Sequence, residues 1–90
     1  MKRAEVVVSW TEGLHLRHAA KIVRTGQRFR STILLKCGGK IADIRSILGI
    51  IALCATIGTA LKVEASGEDE QEAAQAIEQI FGAAPGAVDE

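Results

Sequence analysis

Ser31-Thr32-Ile33-Leu34-Leu35-Lys36-Cys37-Gly38-Gly39-Lys40-Ile41-Ala42-Asp43-Ile44 reads as two strands joined by a tight turn. Ser31 to Lys36 is rich in β-branched and large aliphatic residues, which suit a pleated, half-buried surface. Gly38-Gly39 supplies the positive φ that a two-residue hairpin turn demands. Lys40 to Ile44 then returns as the partner strand. A hairpin this short cannot stand alone in water, so the rest of the chain must cover it.

Upstream, residues 2–9 (Lys-Arg-Ala-Glu-Val-Val-Val-Ser) form a strand-like run and Trp10 to Gly13 a loop. From Leu16 to about Arg28 the period turns helical, with Ala19, Ala20, Ile22, Val23 and Gly26 on an apolar stripe and basic residues interleaved. Gly26 falls where a helix stop is expected. Downstream, Ser46 is a good N-cap for a short helix over Ile47-Leu48-Gly49-Ile50-Ile51-Ala52-Leu53. Periodicity alone does not separate this helix from a buried strand. Thr59 to Ala65 alternates as a fourth strand. Asp69 with Glu72 fits a capping box opening a last helix that buries Ala73, Ile77, Ile80 and Phe81 and runs to about Gly82. Residues 83–90 read as a loose tail after a single domain over 1–82. The element order β-α-β-β-α-β-α implies a two-layer α+β domain with helices over one sheet face and the other face open to solvent.

Ninety residues suffice for one domain, and 48% apolar content is ordinary for a folded one. Aromatic residues are only 3%, which disfavours a base-stacking nucleic-acid platform. The net charge is zero but unevenly placed, with ten Lys/Arg against three Asp/Glu in residues 1–45 and one Lys against eight acids in 46–90. Such asymmetry suits oriented docking on an acidic partner, or simply two solvated faces of different sign. No apolar run is long enough for a bilayer and no leader-like segment opens the chain, so a cytoplasmic protein without membrane insertion is expected. Cys37 and Cys54 are then expected as free thiols.

The chemistry concentrates in Gly13-Leu14-His15-Leu16-Arg17-His18-Ala19-Ala20. His15 falls where a loop becomes a helix. The first helical turn leaves backbone N–H groups without internal partners, which together with the dipole make an anion site. Arg17 adds a guanidinium able to grip phosphate through two parallel hydrogen bonds. A neutral imidazole there is a competent nucleophile toward phosphorus. A surface histidine near a helix start is, on its own, more often a plain solvated residue.

Several motifs in order make the chain similar to the HPr family, the histidine phosphocarriers of the bacterial phosphoenolpyruvate-dependent phosphotransferase system. They are Gly13-Leu14-His15-x-Arg17-x-Ala19-Ala20, then Gly39-Lys40 in the hairpin, Ser46-Ile47-Leu48-Gly49 at the short helix and Gly67-Glu68-Asp69-Glu70 before the last one. The resemblance runs from Val6 to about Phe81. It implies an open-faced β-sandwich, a four-stranded antiparallel sheet covered on one face by three helices. It also implies that phosphorylated enzyme I phosphorylates His15 on Nδ1, that Arg17 steadies the phosphoryl group, and that enzyme II A-type domains receive it in sugar uptake. Such a carrier has no independent turnover, needs no cofactor and is expected as a monomer. Ser46 resembles the serine modified by HPr kinase/phosphorylase in many members. A phosphate there would bring about two negative charges to the docking face.

Most members carry proline where this chain has His18. Proline in the first turn preorganises the helix, and losing it gives up roughly 0.4–1 kcal/mol through the unfolded state. His18 is then either a helper whose N–H or ring holds the phosphoryl group on His15, or a neutral replacement at a tolerant surface position. Ile47, Leu48 and Ile51 recur at helical spacing. Such stripes are usually core, but beside the active-site loop they would form an apolar docking centre rimmed by Arg24 and Arg28.

Competing classes are weaker. His15 and His18 with the two cysteines match no zinc pattern, so no metal is expected. There is no Cys-x-x-Cys, and no triad, nucleotide loop or carboxylate pair. The runner-up is a regulatory relative in nitrogen or carbon control that acts through His15 or Ser46. A third reading is an interaction module whose His15 no longer reacts.

Overall fold

A computed structural model describes residues 1–82, and the tail expected over 83–90 lies outside them. The chain runs β1 (Lys2–Val7), α1 (Leu16–Gly26), β2 (Thr32–Cys37), β3 (Lys40–Asp43), α2 (Ile47–Ile51), β4 (Ala60–Ser66) and α3 (Glu70–Gly82). The strands form one antiparallel sheet in the order β1-β4-β2-β3. The expected α+β architecture, an open sheet with three helices, is the observed one.

The hairpin forms where the sequence places it. Cys37 pairs with Lys40, and Gly38 closes the turn at φ +61. Alternation sorts the side chains by face. Ile33 and Leu35 on β2, Ala42 on β3, Leu61, Val63 and Ala65 on β4 and Val6 on β1 are buried under the helices. Lys36, Lys62 and Glu64 belong to the opposite, open face, where Glu64 accepts ion pairs from Arg3 (3.5 Å) and Lys36 (3.0 Å). α3 lies against β1, β4 and β2, α2 lies against β3, and α1 packs on α2 and α3. The helices contribute Ala19, Ile22 and Val23 from α1, Ile50 from α2, and Ala73, Ala74, Ile77, Ile80 and Phe81 from α3. Each large aliphatic side chain so buried stabilises the fold by about 1.5–3 kcal/mol before entropy is counted.

One local expectation holds and one is corrected. α1 ends at Gly26 as expected, with Gln27 as its cap in ordinary right-handed geometry. What Gly26 provides is close approach, because a Cβ there would run into the Ile44 side chain. The Asp69–Glu72 capping box is replaced by longer-range bonds. The Asp69 carboxylate accepts the backbone N–H groups of Arg30 (2.9 Å) and Ser31 (3.0 Å) and the Ser31 hydroxyl, tying the loop before β2 to the start of α3. The reaching-back role falls to Glu70, whose Oε1 accepts from Gly67 N at 3.1 Å. Three-residue spacing fits both pairings, and the sequence could not say that Asp69 had a better partner 38 residues upstream.

Candidate functional site

The site is built where the loop after β1 enters α1. The Gly13 N–H donates to the Trp10 carbonyl (2.8 Å), and the Leu14 N–H donates to the Ala55 carbonyl (2.9 Å). Gly13 is buried at φ +78, and a Cβ would stand 2.8 Å from that carbonyl oxygen. Glycine here satisfies both a left-handed backbone and a close approach of two chain segments. Leu14 is buried. The chain is thereby fixed one residue before His15.

His15 is the N-cap residue of α1, in extended conformation at φ −93 and ψ 168, and its side chain makes no capping bond. Its carbonyl accepts from Ala19 N at 2.9 Å, as a cap carbonyl should. Residues favoured at an N-cap use a side-chain oxygen to occupy the first-turn donors. An imidazole that does not cap leaves its own nitrogens and the first-turn N–H groups available to an anion. Both His15 and Arg17, two residues further on, are exposed. No acid stands in the first turn of α1, so the positive end of the helix dipole is not offset there. Glu12, in the preceding loop, has a depressed carboxyl pKa, first through its own backbone N–H and then through the nearby His18, Arg17 and His15.

His18 is not the surface residue the sequence suggested. It is 1% exposed, with its ring stacked face to face on Trp10, centroids 3.8 Å apart and planes 10° from parallel. Trp10 in turn leans on Phe81 of α3, at 5.3 Å. A ring enclosed in this way is no exposed ligand for a phosphoryl group on His15. Burial, followed by the charge of Arg17, lowers the His18 pKa and favours the neutral ring. Nδ1 of His18 is buried with no hydrogen-bond partner, an arrangement that costs about 1–3 kcal/mol. Trp10 was read only as loop, since nothing in a local pattern says which distant ring will cover it.

The remaining candidates lie on other parts of the fold. Arg24 is exposed on α1 and Arg28 in the turn after it. Leu48 is 78% exposed, while Ile47 and Ile51 are half-buried and packed against the core. Of the three residues expected as an apolar docking centre, only Leu48 is exposed. Leu16, directly after His15, is 55% exposed. Helical periodicity groups Leu16 with Ala19 and Val23 and so hides its exposure. Ser46 caps α2, its hydroxyl accepting from Gly49 N at 3.0 Å, and it is exposed. Cys37 and Cys54 are free thiols. Among the described residues no cluster of His, Cys, Asp and Glu could hold a metal ion, and no helix is long and apolar enough to cross a membrane.

The fold is an open sheet with helices on one face and a histidine exposed at the start of the first helix, the frame of a small α+β domain with its candidate site on the surface. Comparison with known proteins gives that class its family. The family described as "PTS HPr component phosphorylation site" matches residues 2–83. The phosphocarrier protein HPr of Xylella fastidiosa (strain 9a5c) is 38% identical over 81 residues, covering 90% of this chain and 91% of the relative. The HPr-like protein Crh of Bacillus subtilis is 38% identical over 77 residues, covering 86% and 91%. A crystal structure of HPr from Thermoanaerobacter tengcongensis superposes with a TM-score of 0.86 at 34% identity, covering 91% and 92% of the two chains. The chain belongs to the HPr family of phosphocarrier proteins of the phosphotransferase system.

Proposed function

We propose that this chain accepts a phosphoryl group on His15 from phosphorylated enzyme I and passes it to enzyme II A-type domains in sugar uptake, working in the cytoplasm without turnover of its own. The observation that carries this reading is that His15 holds the N-cap position of α1 with its ring exposed and uncommitted. An imidazole nitrogen attacks the phosphorus, the donor's phosphorus–nitrogen bond breaks, and the displaced imidazole leaves on the donor. Arg17 and the first-turn N–H groups offset the charge of the transferring group. Leu16, Leu48, Arg17, Arg24 and Arg28 supply an apolar centre with a basic rim, suited to a partner that must dock and leave.

Incubation with phosphoenolpyruvate and enzyme I tests the proposal. The expected result is an acid-labile gain of one phosphoryl group that His15→Ala abolishes and Arg17→Ala slows. No gain with any cognate donor would leave only a binding role.

A second reading rests on the similarity to Crh and on the exposure of Ser46 at the N-cap of α2. In it the chain serves carbon or nitrogen control, and HPr kinase/phosphorylase modifies Ser46. Loss of an acid-stable phosphate in Ser46→Ala, with His15 chemistry intact, would support this branch.

A further inference from the structure

His18 and Trp10 stand at the two ends of the segment that presents His15. Trp10 opens the loop and turns it, its carbonyl accepting the Gly13 N–H. His18 is the third residue of α1. Their rings meet face to face at 3.8 Å, so the stack closes a loop of nine residues with His15 inside it. Nδ1 of His18 has no hydrogen-bond partner, so that nitrogen does not anchor the ring. The face of the ring rests on the indole, which Phe81 supports from behind. A hydrophobic side chain of similar shape would fill this space without stranding a nitrogen. The backbone bonds at Gly13 and Leu14 hold the loop before His15, while the stack holds the first helical turn after it.

We propose that the Trp10–His18 stack is a clasp that fixes the first turn of α1 against the loop, making His18 a positioning residue for phosphoryl transfer to His15. The clasp needs the imidazole neutral, because an added proton would carry a charge into an enclosed site. The ionisable groups acting on it are Arg17, His15 and Lys21 from the start of α1 and Glu12 from the loop. Phe81, the α3 residue against the clasp, brings no charge.

This inference rests on His15 as the phosphoryl acceptor, so its test uses a donor that requires no partner protein. Phosphoramidate phosphorylates imidazole directly. The histidine nitrogen forms a bond to phosphorus, the donor's phosphorus–nitrogen bond breaks, and ammonia leaves. His18→Ala should slow this reaction at His15 about tenfold, the scale expected when a reacting group loses its alignment. His18→Phe, which keeps a flat ring against Trp10, should restore the rate to within about threefold. Ile33→Val, a core change on β2 outside the clasp, should react at the native rate. Native reactivity in His18→Ala, or a His18→Phe as slow as His18→Ala, would overturn the proposal.

The intact chain supplies a second readout if His18→Ala does not fold. Trp10 is the sole tryptophan, so its emission reports the stack directly. As acid protonates His18, the emission should change and the Gly13 and Leu14 amides should lose exchange protection at one shared midpoint. A change in emission with both amides still protected would count against the clasp. A chain that refuses enzyme I but shows the phosphoramidate pattern keeps the clasp and loses the relay, and the opposite pattern loses only the clasp.

Discussion

Replacing Gly13 with alanine should cost more than the same change at Gly58, a loop glycine with open space around it. The new residue would sit at φ +78, in the left-handed region that costs an L-residue about 1–2 kcal/mol. Its Cβ would also stand 2.8 Å from the Ala55 carbonyl oxygen and 3.3 Å from Thr56 Cα. Both are backbone atoms, so no rotamer change relieves the overlap. Retreat of that carbonyl weakens its bond from Leu14 N, worth about 0.5–1.5 kcal/mol. Together these give a loss of about 1.5–3.5 kcal/mol. At about 4–8 °C per kcal/mol for a domain of this size, Tm should fall by roughly 6–28 °C. Gly58→Ala is the matched control, because Gly58 has φ +87 with nothing within 4 Å of its added Cβ. It carries the conformational cost alone, about 1–2 kcal/mol. Urea titrations of the two variants measure the difference, and phosphoryl acceptance well below both melting temperatures measures the consequence for His15. Gly13→Ala should be the slower acceptor as well as the less stable. Equal losses of stability and equal acceptance in the two variants would refute the claim that the Ala55 contact builds the site.

Other expectations follow from the same contacts. Ser46→Ala removes the α2 cap and should cost about 1 kcal/mol in urea unfolding, whereas Ser46→Asp should keep most of it. Leu48→Ala should change stability by less than about 0.5 kcal/mol because the side chain is exposed, yet weaken association with the phosphoryl donor about tenfold in Kd if Leu48 is the apolar centre of docking. The Asp69 carboxyl is held below its ordinary 3.8, first by the Ser31 hydroxyl and then by the Arg30 N–H. Its contribution to stability is therefore complete above pH 3.8 and is lost as pH falls through the depressed value, and Asp69→Asn should flatten that part of a Tm-against-pH curve. His18, held below 6.5 by burial and then by Arg17, binds fewer protons folded than unfolded. Stability should therefore decline as pH drops below 6.5 and level off beneath the folded pKa, a slope that His18→Phe should remove.

The hairpin, the four strands and the start of α1 were legible because each is written in short-range pattern. Alternation, a Gly-Gly turn and an apolar stripe need no knowledge of distant residues. The strand order was carried neither by pattern nor by the resemblance, which implied only four antiparallel strands, and the structure supplies it as β1-β4-β2-β3. The features that escaped are all long-range. Asp69 abandons a local cap for Ser31, Gly26 exists for Ile44, and Trp10 covers His18. The charge asymmetry shows the same limit. Much of it is neutralised across the fold, where Arg3 and Lys36 meet Glu64 and Arg30 meets Glu68 at 3.2 Å. Arg17 and Arg24 on α1 and Arg28 just after it are exposed, and none of them takes part in these pairs across the sheet. A count of charges along the chain showed an excess, and only the pairing across the sheet shows where it remains.

The two histidines of this chain lie three residues apart and are placed for opposite work. His15 is exposed and its side chain makes no capping bond, so the proposed phosphoryl group would break no contact that stabilises the domain. His18 is enclosed, and every change in its charge is opposed by desolvation. A carrier needs this division. The acceptor must change state easily, while the backbone that presents it must not move when it does. The Gly13 and Leu14 hydrogen bonds supply that rigidity on one side of His15, and the His18 stack, with its ring kept neutral, supplies it on the other. Exchanging the environments of the two rings would destroy both functions, since a buried His15 could not meet a donor and an exposed His18 could not hold Trp10. Residue type does not assign these roles. Exposure and partners do, and those follow from where α1 begins.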